Sequence, residues 1–417
     1  MASFSVALSG LAASSNALNI ISNDLANLNT VGFKDQQANF EDLFYQNLGT
    51  NGSGNPIQQG SGTKIGSVAT EFTDGTVQDT GIRSNVAITG NGFFITQDAN
   101  GTLTYTRAGD FGVNAQGELV SPSGDAVLGY PAVNGVVNTG GILGSINVGS
   151  SLTNPPSATT TMQQQTNLDA TAPAGTTYST SMAVYDSLGA QHVLTFNYTE
   201  TAPNTWTYQI TLPAADTGGS GNPTVISSGT LTFDGNGNLT SPTGSIAGIN
   251  ITGLADGAND MSVTWNLADS SGAPLLTQVA AKSTTTTTDQ NGYANGTLQS
   301  YMVQADGTIE GTFTNGQTQA LGQIALASFA NTQGLQAVGS SGFEPTLASG
   351  AAVVGVPGAG GRGSLTGSAL EMSNVDISTE FTRLIVIQRG FQANARMITT
   401  LDSIGNTTTN LQAQPGN

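Results

Sequence analysis

The chain has 417 residues, no cysteine and a formal net charge of -18, with only nine lysines and arginines. The lack of cysteine excludes disulfides, thiolate metal sites and cysteine nucleophiles, and the scarcity of cations makes nucleic acid and anionic membrane surfaces poor partners. A chain of this length exceeds one hydrophobic core, so we expect two or three domains.

The first 30 residues carry an apolar repeat that is typical of a helix. Its members recur every seven residues and are Phe4, Leu11, Leu18 and Leu25. A second set, which includes Ile21, follows three places after each, so the pattern predicts a helical seam over 1–30. No basic residue precedes Lys34, and polar residues interrupt the apolar stretch. We therefore expect neither a cleaved signal peptide nor membrane insertion.

The middle of the chain predicts β structure in two domains. Residues 31–69 form a connecting segment, in which Thr50 to Gly62 has the Gly, Ser and Asn content of a hinge or loop. Short alternating strands separated by Gly-Asn turns then predict a β domain. A change of composition after Pro131 predicts a second β domain at 146–284. It would be inserted into the first, which would comprise 70–145 and 285–360.

The last segment, 361–417, predicts a second terminal helix. Asp376 is the expected N-cap, and Glu380 lies in the first turn, where a carboxylate suits the helix dipole. Apolar residues again recur at steps of three and four, and they include Ile377, Leu384, Phe391, Ile398 and Leu401.

Together these patterns predict a mainly β fold with α-helical termini. The N- and C-terminal helices would form a coiled-coil-like domain, beside two β-rich domains of which the outer is inserted into the inner. Each helix stripe could pack on the body of its own chain, on the other helix or on neighbouring copies, because isolated helices of this length are marginal in water. We expect Leu18 and Ile398 to be buried only when subunits stack.

The motifs that could carry chemistry are weak. Gly358 to Gly363 has dinucleotide-site spacing but opens into no long helix, and Asp234 to Asn238 fits a hairpin turn better than a calcium loop. His192 is the only histidine, which we expect to be a partly exposed strand residue, and Trp206 and Trp265 are expected in cores. We expect no enzyme activity, no cofactor and no metal, although a carboxylate pair is not ruled out by the sequence.

Both ends carry longer signatures. The first is ISNDLANLNTVGFK at 21–34, and the second combines LEMSNVD at 370–376 with QRGFQANA at 388–395. Between them lie the stretches GNGFF at 90–94 and GYP at 129–131. With the two end signatures, the chain resembles the bacterial flagellar rod and hook proteins, a family of axial proteins. The two stretches between the signatures are similar to the β domain that this family shares.

The inserted domain favours the hook branch of this family over the shorter rod branch. The resemblance implies a structural subunit that self-assembles helically into the flagellar hook, the flexible curved tube that joins the basal-body rod to the filament and transmits motor torque. Implied partners are other copies of the chain, the rod, hook cap and hook-filament junction proteins, and the flagellar export apparatus. The implied location is extracellular, reached without a cleaved signal peptide.

The residues expected at the self-assembly interface lie on the two helices and in the first signature. They are Phe4, Leu11, Leu18, Ile21, Leu25, Asn27, Asn29, Gly32, Phe33, Ile377, Leu384, Phe391, Ile398 and Leu401. Two alternatives remain open at this point: a distal rod subunit, and a secreted β-rich carbohydrate-binding protein or enzyme.

Overall fold

The computed structural model describes residues 2–412, which form one long helix at each end of the chain and a β-rich body between them in sequence. Helix α1 spans Ala2–Ala26 and helix α2 spans Ile377–Gln412. The predicted fold class, a mainly β chain with α-helical termini, is confirmed. Helix α1 ends four residues before the predicted limit at 30, and Asn27 closes it with a side-chain hydrogen bond to the carbonyl of Asn23 (2.9 Å).

Helix α2 begins at the predicted N-cap. The Oδ1 atom of Asp376 accepts a hydrogen bond from the backbone N–H of Thr379 at 2.7 Å, and Glu380 lies in the first turn. The Thr379 N–H lowers the pKa of the Asp376 carboxyl. This capping satisfies a backbone donor that the helix itself leaves without a partner.

Residues 361–376, assigned from the sequence to the C-terminal helical segment, are not helical. Ser364–Gly367 pairs antiparallel with Val86–Thr89, and Ala369–Glu371 pairs antiparallel with Val77–Asp79. Because the backbone groups of these strands are used in ladders, the helix cannot extend back over them.

The strands up to residue 154 are β1 Gln36–Asp42, β2 Tyr45–Thr50, β3 Pro56–Gly60, β4 Thr63–Thr70, β5 Val77–Asp79, β6 Val86–Thr89, β7 Phe93–Gln97, β8 Leu103–Thr106, β9 Gly112–Val113, β10 Leu119–Val120, β11 Ala126–Val133, β12 Val136–Val137, β13 Gly144–Ser145 and β14 Thr153–Asn154. The next ten are β15 Thr161–Asp169, β16 Thr177–Tyr185, β17 Gln191–Ala202, β18 Thr205–Leu212, β19 Thr224–Phe233, β20 Leu239–Ser241, β21 Ser245–Ile251, β22 Met261–Asn266, β23 Leu276–Val279 and β24 Thr284–Gln290. The last nine are β25 Gly296–Val303, β26 Thr308–Phe313, β27 Thr318–Ile324, β28 Leu326–Ser328, β29 Gln336–Gly339, β30 Gly342–Glu344, β31 Val353–Gly355, β32 Ser364–Gly367 and β33 Ala369–Glu371.

The chain divides into two compact units. The first contains the described residues up to Gly149, then Ser300–Gly311, and everything from Thr318 onward. The second contains Ser150–Gln299 and Thr312–Gln317. The second unit therefore runs past residue 284, where the sequence suggested a boundary. It does so because β24 pairs antiparallel along β15.

Strand β7 organises the first unit. It pairs antiparallel with β8, β11 and β28. Successive residues of a strand face opposite sides of its sheet. Phe94 accordingly packs in one apolar cluster with Ile324, whereas Phe93 and Ile95 pack in another with Phe343.

The second unit is built from two five-stranded sheets. Strands β16 to β20 form an antiparallel meander, and β15 with β21 to β24 forms the other sheet. Their inward residues share one core, in which Trp206 and Trp265 are fully buried. The ring centroids of Phe196 and Trp265 lie 5.2 Å apart, edge to face. The interpretation of both tryptophans as core residues is confirmed.

Two nested antiparallel strand pairs, called the hairpins below, occupy most of 31–69. Strand β1 pairs with β4, and β2 pairs with β3. The segment Thr50 to Gly62 was expected to be a hinge or loop, but it contains β3. The turn before β3 is held by Asn51, whose Oδ1 accepts hydrogen bonds from the backbone N–H groups of Ser53 and Asn55. Side-chain composition concealed this strand, because backbone pairing stabilises it without an apolar core.

Candidate self-assembly surface

The two terminal helices pack antiparallel against each other. A Cβ placed on Gly10 of α1 would lie 2.7 Å from Asn394 Nδ2 of α2, and one on Gly390 would lie 4.0 Å from Ser14 Oγ. Residue numbers thus fall along one helix as they rise along the other. The buried residues of α1 are mostly small, and include Ala7, Gly10, Ala13, Ala17 and Ile21. Small side chains let two helix axes approach closely.

Helix α1 also contacts strands β1 and β4 of the same unit. Both helices therefore find partners within their own chain, one of the outcomes that the sequence left open. Ile21, from the second predicted set, lies in the small-residue seam of α1. The first set, Phe4, Leu11, Leu18 and Leu25, is exposed or only partly buried and lies beside it.

The predicted interface residues occupy three environments. Ile21 and Gly32 are buried, and Phe4, Asn29 and Ile377 are exposed. The remaining residues are half-buried, namely Leu11, Leu18, Leu25, Asn27, Phe33, Leu384, Phe391, Ile398 and Leu401. The expectation that Leu18 and Ile398 are buried only in an assembly was wrong in part, because both are already partly buried in the single chain. Whether these fourteen positions contact a neighbouring subunit stays a prediction.

Large apolar side chains remain uncovered on the helices. They are Phe4, Leu8, Ile377, Phe381, Ile385, Val386 and Met397, each more than a third exposed. On α2 the steps of four from Ile377 through Phe381 to Ile385 place three of them along one side. Val386 and Met397, eleven residues apart, lie along another side. Helix α2 therefore exposes apolar side chains on faces that do not pack against α1.

An apolar groove lies beside the helix pair. It encloses about 340 Å³ and is lined by side chains from α1, β1 and α2, among them Ile20, Ile21, Phe40, Val386 and Ile387. Val386 is 64% exposed. The groove is open to solvent and offers a place where an apolar side chain from outside this chain can be buried.

The hairpins of 31–69 expose a second apolar group that sequence reasoning missed. Its members lie at and near the strand ends and are Phe40, Phe44, Tyr45, Leu48 and Ile57. Phe44, between β1 and β2, is 90% exposed. Exposed apolar groups of this kind mark interaction sites more often than scattered single residues do. The sequence did contain a signal for this group, because its five large apolar residues lie close together between positions 40 and 57.

A buried ion network ties the two chain ends to the β body. Glu371 is fully buried and accepts hydrogen bonds from Lys34 Nζ at 2.6 Å and Arg107 Nε at 2.9 Å. Arg107 also reaches Asp74 Oδ1 at 2.7 Å and the carbonyls of Gly90 and Gly92. Burial lowers the pKa of Lys34, while Glu371 opposes that shift.

This network gives the end signatures a structural role. Lys34 closes the N-terminal signature and Glu371 lies in the C-terminal one, so each supplies the counter-charge of the other. Gly32 has a φ of +65°, and a Cβ there would lie 2.4 Å from the backbone nitrogen of Ala108. Glycine is required at this position both for its backbone angle and for the close approach. Asn374 adds a hydrogen bond by accepting from the backbone N–H of Asp35 at 2.8 Å.

Three carboxyl groups meet where α1 ends and α2 begins. Asp24, Asp35 and Glu380 each place an oxygen within 4.8 Å of the others. Arg383 Nη1 lies 2.6 Å from Glu380 Oε1 and 3.2 Å from Asp35 Oδ2. Burial, together with the charge of Asp35, raises the pKa of Asp24 to about 8. Burial and Asp35 also raise the pKa of Glu380, although Arg383 opposes this.

His192 differs from its sequence prediction. It was expected to be partly exposed on a strand, but it is buried on β17. Its Nδ1 lies 3.0 Å from Asp216 Oδ2 and its Nε2 lies 3.2 Å from Asp186 Oδ2. Burial opposes the charged imidazolium, but the hydrogen bonds to Asp216 and Asp186 outweigh it and raise the pKa of His192.

Asp256 joins this cluster, so Asp186, His192 and Asp256 have metal-ligand spacing. A histidine that ligates a metal must first lose its proton. The two carboxylates hydrogen-bonded to the ring favour the proton instead, so the cluster is better described as ion pairs between His192 and its aspartates within the second unit. The sequence did contain one sign of this environment, because Asp186 lies only six residues before His192, the only histidine.

The other singled-out motifs are turns. Asp234 Oδ1 accepts from the backbone N–H groups of Asn236 and Asn238 between β19 and β20, which confirms the predicted hairpin. Gly358 N–H donates to the Gly363 carbonyl at 2.8 Å, so the glycine-rich segment closes a turn between β31 and β32. This geometry places no long helix after the glycines, as the sequence analysis expected.

Within residues 2–412, the segment Phe4–Ala26 is long and apolar enough by length and composition to cross a membrane. One such helix is weak evidence of a span, since the core helix of a soluble protein and an N-terminal signal sequence pass the same test. Six of the 23 residues of this segment are buried in the single chain, among them Asp24.

Four family models match different, in one case overlapping, parts of the chain. Residues 4–34 match "Flagella basal body rod protein", and residues 87–164 match "Flagellar hook protein FlgE/F/G D1 domain". Residues 151–293 match "Flagellar basal body protein FlaE D2 domain", and residues 366–411 match "Flagellar basal body rod FlgEFG protein C-terminal". The matched parts contain both helices, both end signatures and most of the second unit.

Full-length relatives carry the same name. The flagellar hook protein FlgE of Salmonella typhimurium is 38% identical over 98% of this chain and 100% of the relative. That of Escherichia coli K12 is 36% identical over 98% and 100%, and that of Treponema pallidum is 33% identical over 97% and 98%.

A solved structure supports the fold. The crystal structure of Helicobacter pylori flagellar hook protein FlgE2 aligns with a TM-score of 0.50 at 15% identity, covering 71% of this chain and 100% of that one. At this identity the similarity concerns the fold alone. The full-length relatives and the family models settle the classification: the chain belongs to the family of bacterial flagellar hook proteins.

Proposed function

We propose that this chain, a structural subunit of the flagellar hook by family, polymerises helically through its two terminal helices and the adjoining hairpins. The polymer would be the flexible curved tube that joins the basal-body rod to the filament and transmits motor torque. The supporting observation is the set of uncovered apolar side chains on α1, α2 and the hairpins. Contacts between different patches of identical subunits, which do not close on themselves, produce helical tubes.

The groove beside the helix pair supports this proposal further. Its apolar lining, which includes Ile21 and Val386, can receive a side chain of a neighbouring subunit. The hydrophobic gain would be about 25 cal/mol for each Å² of apolar surface removed from water. The fourteen interface residues predicted from the sequence lie on or next to these helices, and we keep them as candidates for the contact.

The remaining features of the proposal come from the family. The partners would be copies of the same chain, the rod, hook cap and hook-filament junction proteins, and the flagellar export apparatus. The subunit would act outside the cell after export without a cleaved signal peptide, and it would catalyse no reaction. We further propose that the second unit is a domain inserted into the first and lies on the outer side of the tube.

Electron microscopy of the purified full-length chain tests the proposal. Raised salt screens the repulsion expected from a net charge of -18, so polymerisation is followed over increasing salt and protein concentration. Curved tubes support the hook assignment. Straight rigid tubes would indicate rod-like assembly, and a chain that stays monomeric under all conditions would contradict self-assembly.

A further inference from the structure

The carboxyl cluster at the base of the helix pair has the spacing of an oxygen-ligand cation site. Two oxygens bound to one Ca²⁺ at 2.3–2.6 Å can be at most about 5 Å apart. Asp24, Asp35 and Glu380 each contribute an oxygen within 4.8 Å of the others. The three oxygens therefore lie within the spacing limit for ligands that share one ion.

The cluster also has unmet hydrogen-bonding capacity. Asp24 is completely buried and Glu380 is 1% exposed. Asp24 Oδ1, Asp35 Oδ1 and Glu380 Oε2 are buried and accept no hydrogen bond from any described residue. Buried polar atoms are nearly always satisfied, and an unsatisfied one in a native fold points to a missing water or ion. Here three such oxygens belong to one cluster.

The charge balance favours a divalent ion. Three carboxylates and the guanidinium of Arg383 together carry a charge of -2 when all are ionised. Arg383 lies at the rim, where its side chain is 34% exposed, and it bonds to Asp35 and Glu380. Oxygen-only donor sets suit Ca²⁺, Mg²⁺ and Mn²⁺ more than zinc or copper.

We propose that Asp24, Asp35 and Glu380 bind one hard divalent cation, for which Ca²⁺ fits best because it accepts several carboxylates in flexible geometry. The three ligands come from the end of α1, the segment after it and the first turn of α2. The ion would join these three segments and hold the helix pair to the β body. The proposal concerns binding by the single chain and does not depend on polymerisation.

Calorimetric titration of EDTA-treated, full-length chain with calcium chloride at about pH 8 tests this, since metal ligands must be deprotonated. We expect one Ca²⁺ per chain with a Kd between about 10⁻⁶ and 10⁻³ M. Asp24→Asn and Glu380→Gln should each weaken binding by about tenfold or more. Calcium should also raise the melting temperature of the helical signal in the wild type and less in these variants.

Two control variants locate the ion. Asp402→Asn removes an exposed carboxylate of α2, and Asp256→Asn removes one from the His192 cluster; both should bind calcium as the wild type does. If Asp24→Asn loses helical structure, Asp35→Asn replaces it, because Asp35 is partly exposed and its loss disturbs the core less. Absence of binding up to about 10 mM calcium, well above the usual range, would overturn the proposal. Two other results would also overturn the proposal. One is calcium binding that persists when all three carboxylates are replaced, and the other is binding that is lost in Asp256→Asn but in none of the variants of the three carboxylates.

Discussion

Arg107 and Glu371, 264 residues apart in sequence, form a two-pronged buried ion pair, with Nε to Oε2 at 2.9 Å and Nη2 to Oε1 at 3.1 Å. Lys34 reaches the same carboxylate from the end signature at 2.6 Å. Glu371 thus contacts both buried cations, and Asp74 supplies a second carboxylate to Arg107. Glu371 therefore joins Lys34 of the N-terminal signature and Arg107 of the β body in one buried ion network.

Glu371→Gln should destabilise the first unit by about 3–5 kcal/mol, because it leaves Lys34 and Arg107 buried with too little counter-charge. Urea unfolding followed by far-UV circular dichroism measures this. Fluorescence of Trp206 and Trp265, the only tryptophans, reports the second unit alone and should change little. The matched control is Glu41→Gln, which removes an exposed pair with Lys64 and should cost at most about 1 kcal/mol. Equal effects of both substitutions would contradict the role given to the network.

Val386→Asp should abolish tube formation while it leaves the monomer intact. Val386 is 64% exposed in the single chain, so a carboxylate there costs the monomer only about 0.5 kcal/mol or less. A neighbour that fills the groove would instead bury an unpaired charge. Electron microscopy and sedimentation measure the polymer. Thr400→Asp introduces the same charge at an exposed polar position of α2; if it is equally harmful, charge repulsion and not apolar burial is responsible.

Ile398→Asp should behave differently from Val386→Asp. Ile398 is already half-buried beside α1, so the carboxylate should weaken the helix pair by about 1–3 kcal/mol even in the monomer. Thermal melting of the helical signal, at protein concentrations below polymerisation, checks this. Leu18→Asp should have a similar effect from the other helix. An unchanged melting temperature would mean that the two helices do not pair in the free chain.

The stability of the second unit should fall as pH rises above about 6.5. The pKa of His192 is raised from its ordinary value of 6.5 in the folded chain. The folded state binds this proton more tightly than the unfolded state does. The resulting gain in the free energy of unfolding is complete at pH values below the unfolded pKa and is lost as the pH rises through the folded pKa. Urea unfolding followed by tryptophan fluorescence across this range measures the slope.

Asp216→Asn should reduce that slope, because Asp216 accepts the hydrogen bond from His192 Nδ1. Asp289→Asn, which removes an exposed carboxylate of the same unit, should leave the slope unchanged. A slope that persists in Asp216→Asn at its full size would assign the pH dependence to another group.

The features that depend on nearby residues could be predicted from the sequence. The N-cap at Asp376, the hairpin turn at Asp234 and the buried tryptophans all follow from local chemistry or strand patterning. Hydrophobic periodicity also found both helices, although its leucine repeat on α1 lies beside the buried seam. It weighs leucine above alanine, whereas the actual seam uses Ala7, Gly10 and Ala17 because small residues permit close packing.

The features that depend on distant residues could not be predicted. Glu371 looks like any carboxylate until the fold brings Lys34 and Arg107 to it. The same holds for Asp216, the second partner of His192, which lies 24 residues away in sequence. Strand β3 escaped prediction for another reason, because its exposed polar residues carry no apolar signal and only the pairing with β2 reveals it.

The bond between Lys34 and Glu371 spans 337 residues of chain, and this sets an order in which the molecule can be completed. A chain delivered from its N-terminus can close the second unit once Gln317 has arrived, since every segment of that unit is then present. The first unit must wait for Glu371, and its helix pair must wait longer still. Contacts of such high sequence separation form late and slowly. The paired helices are therefore the last part of the subunit to be completed.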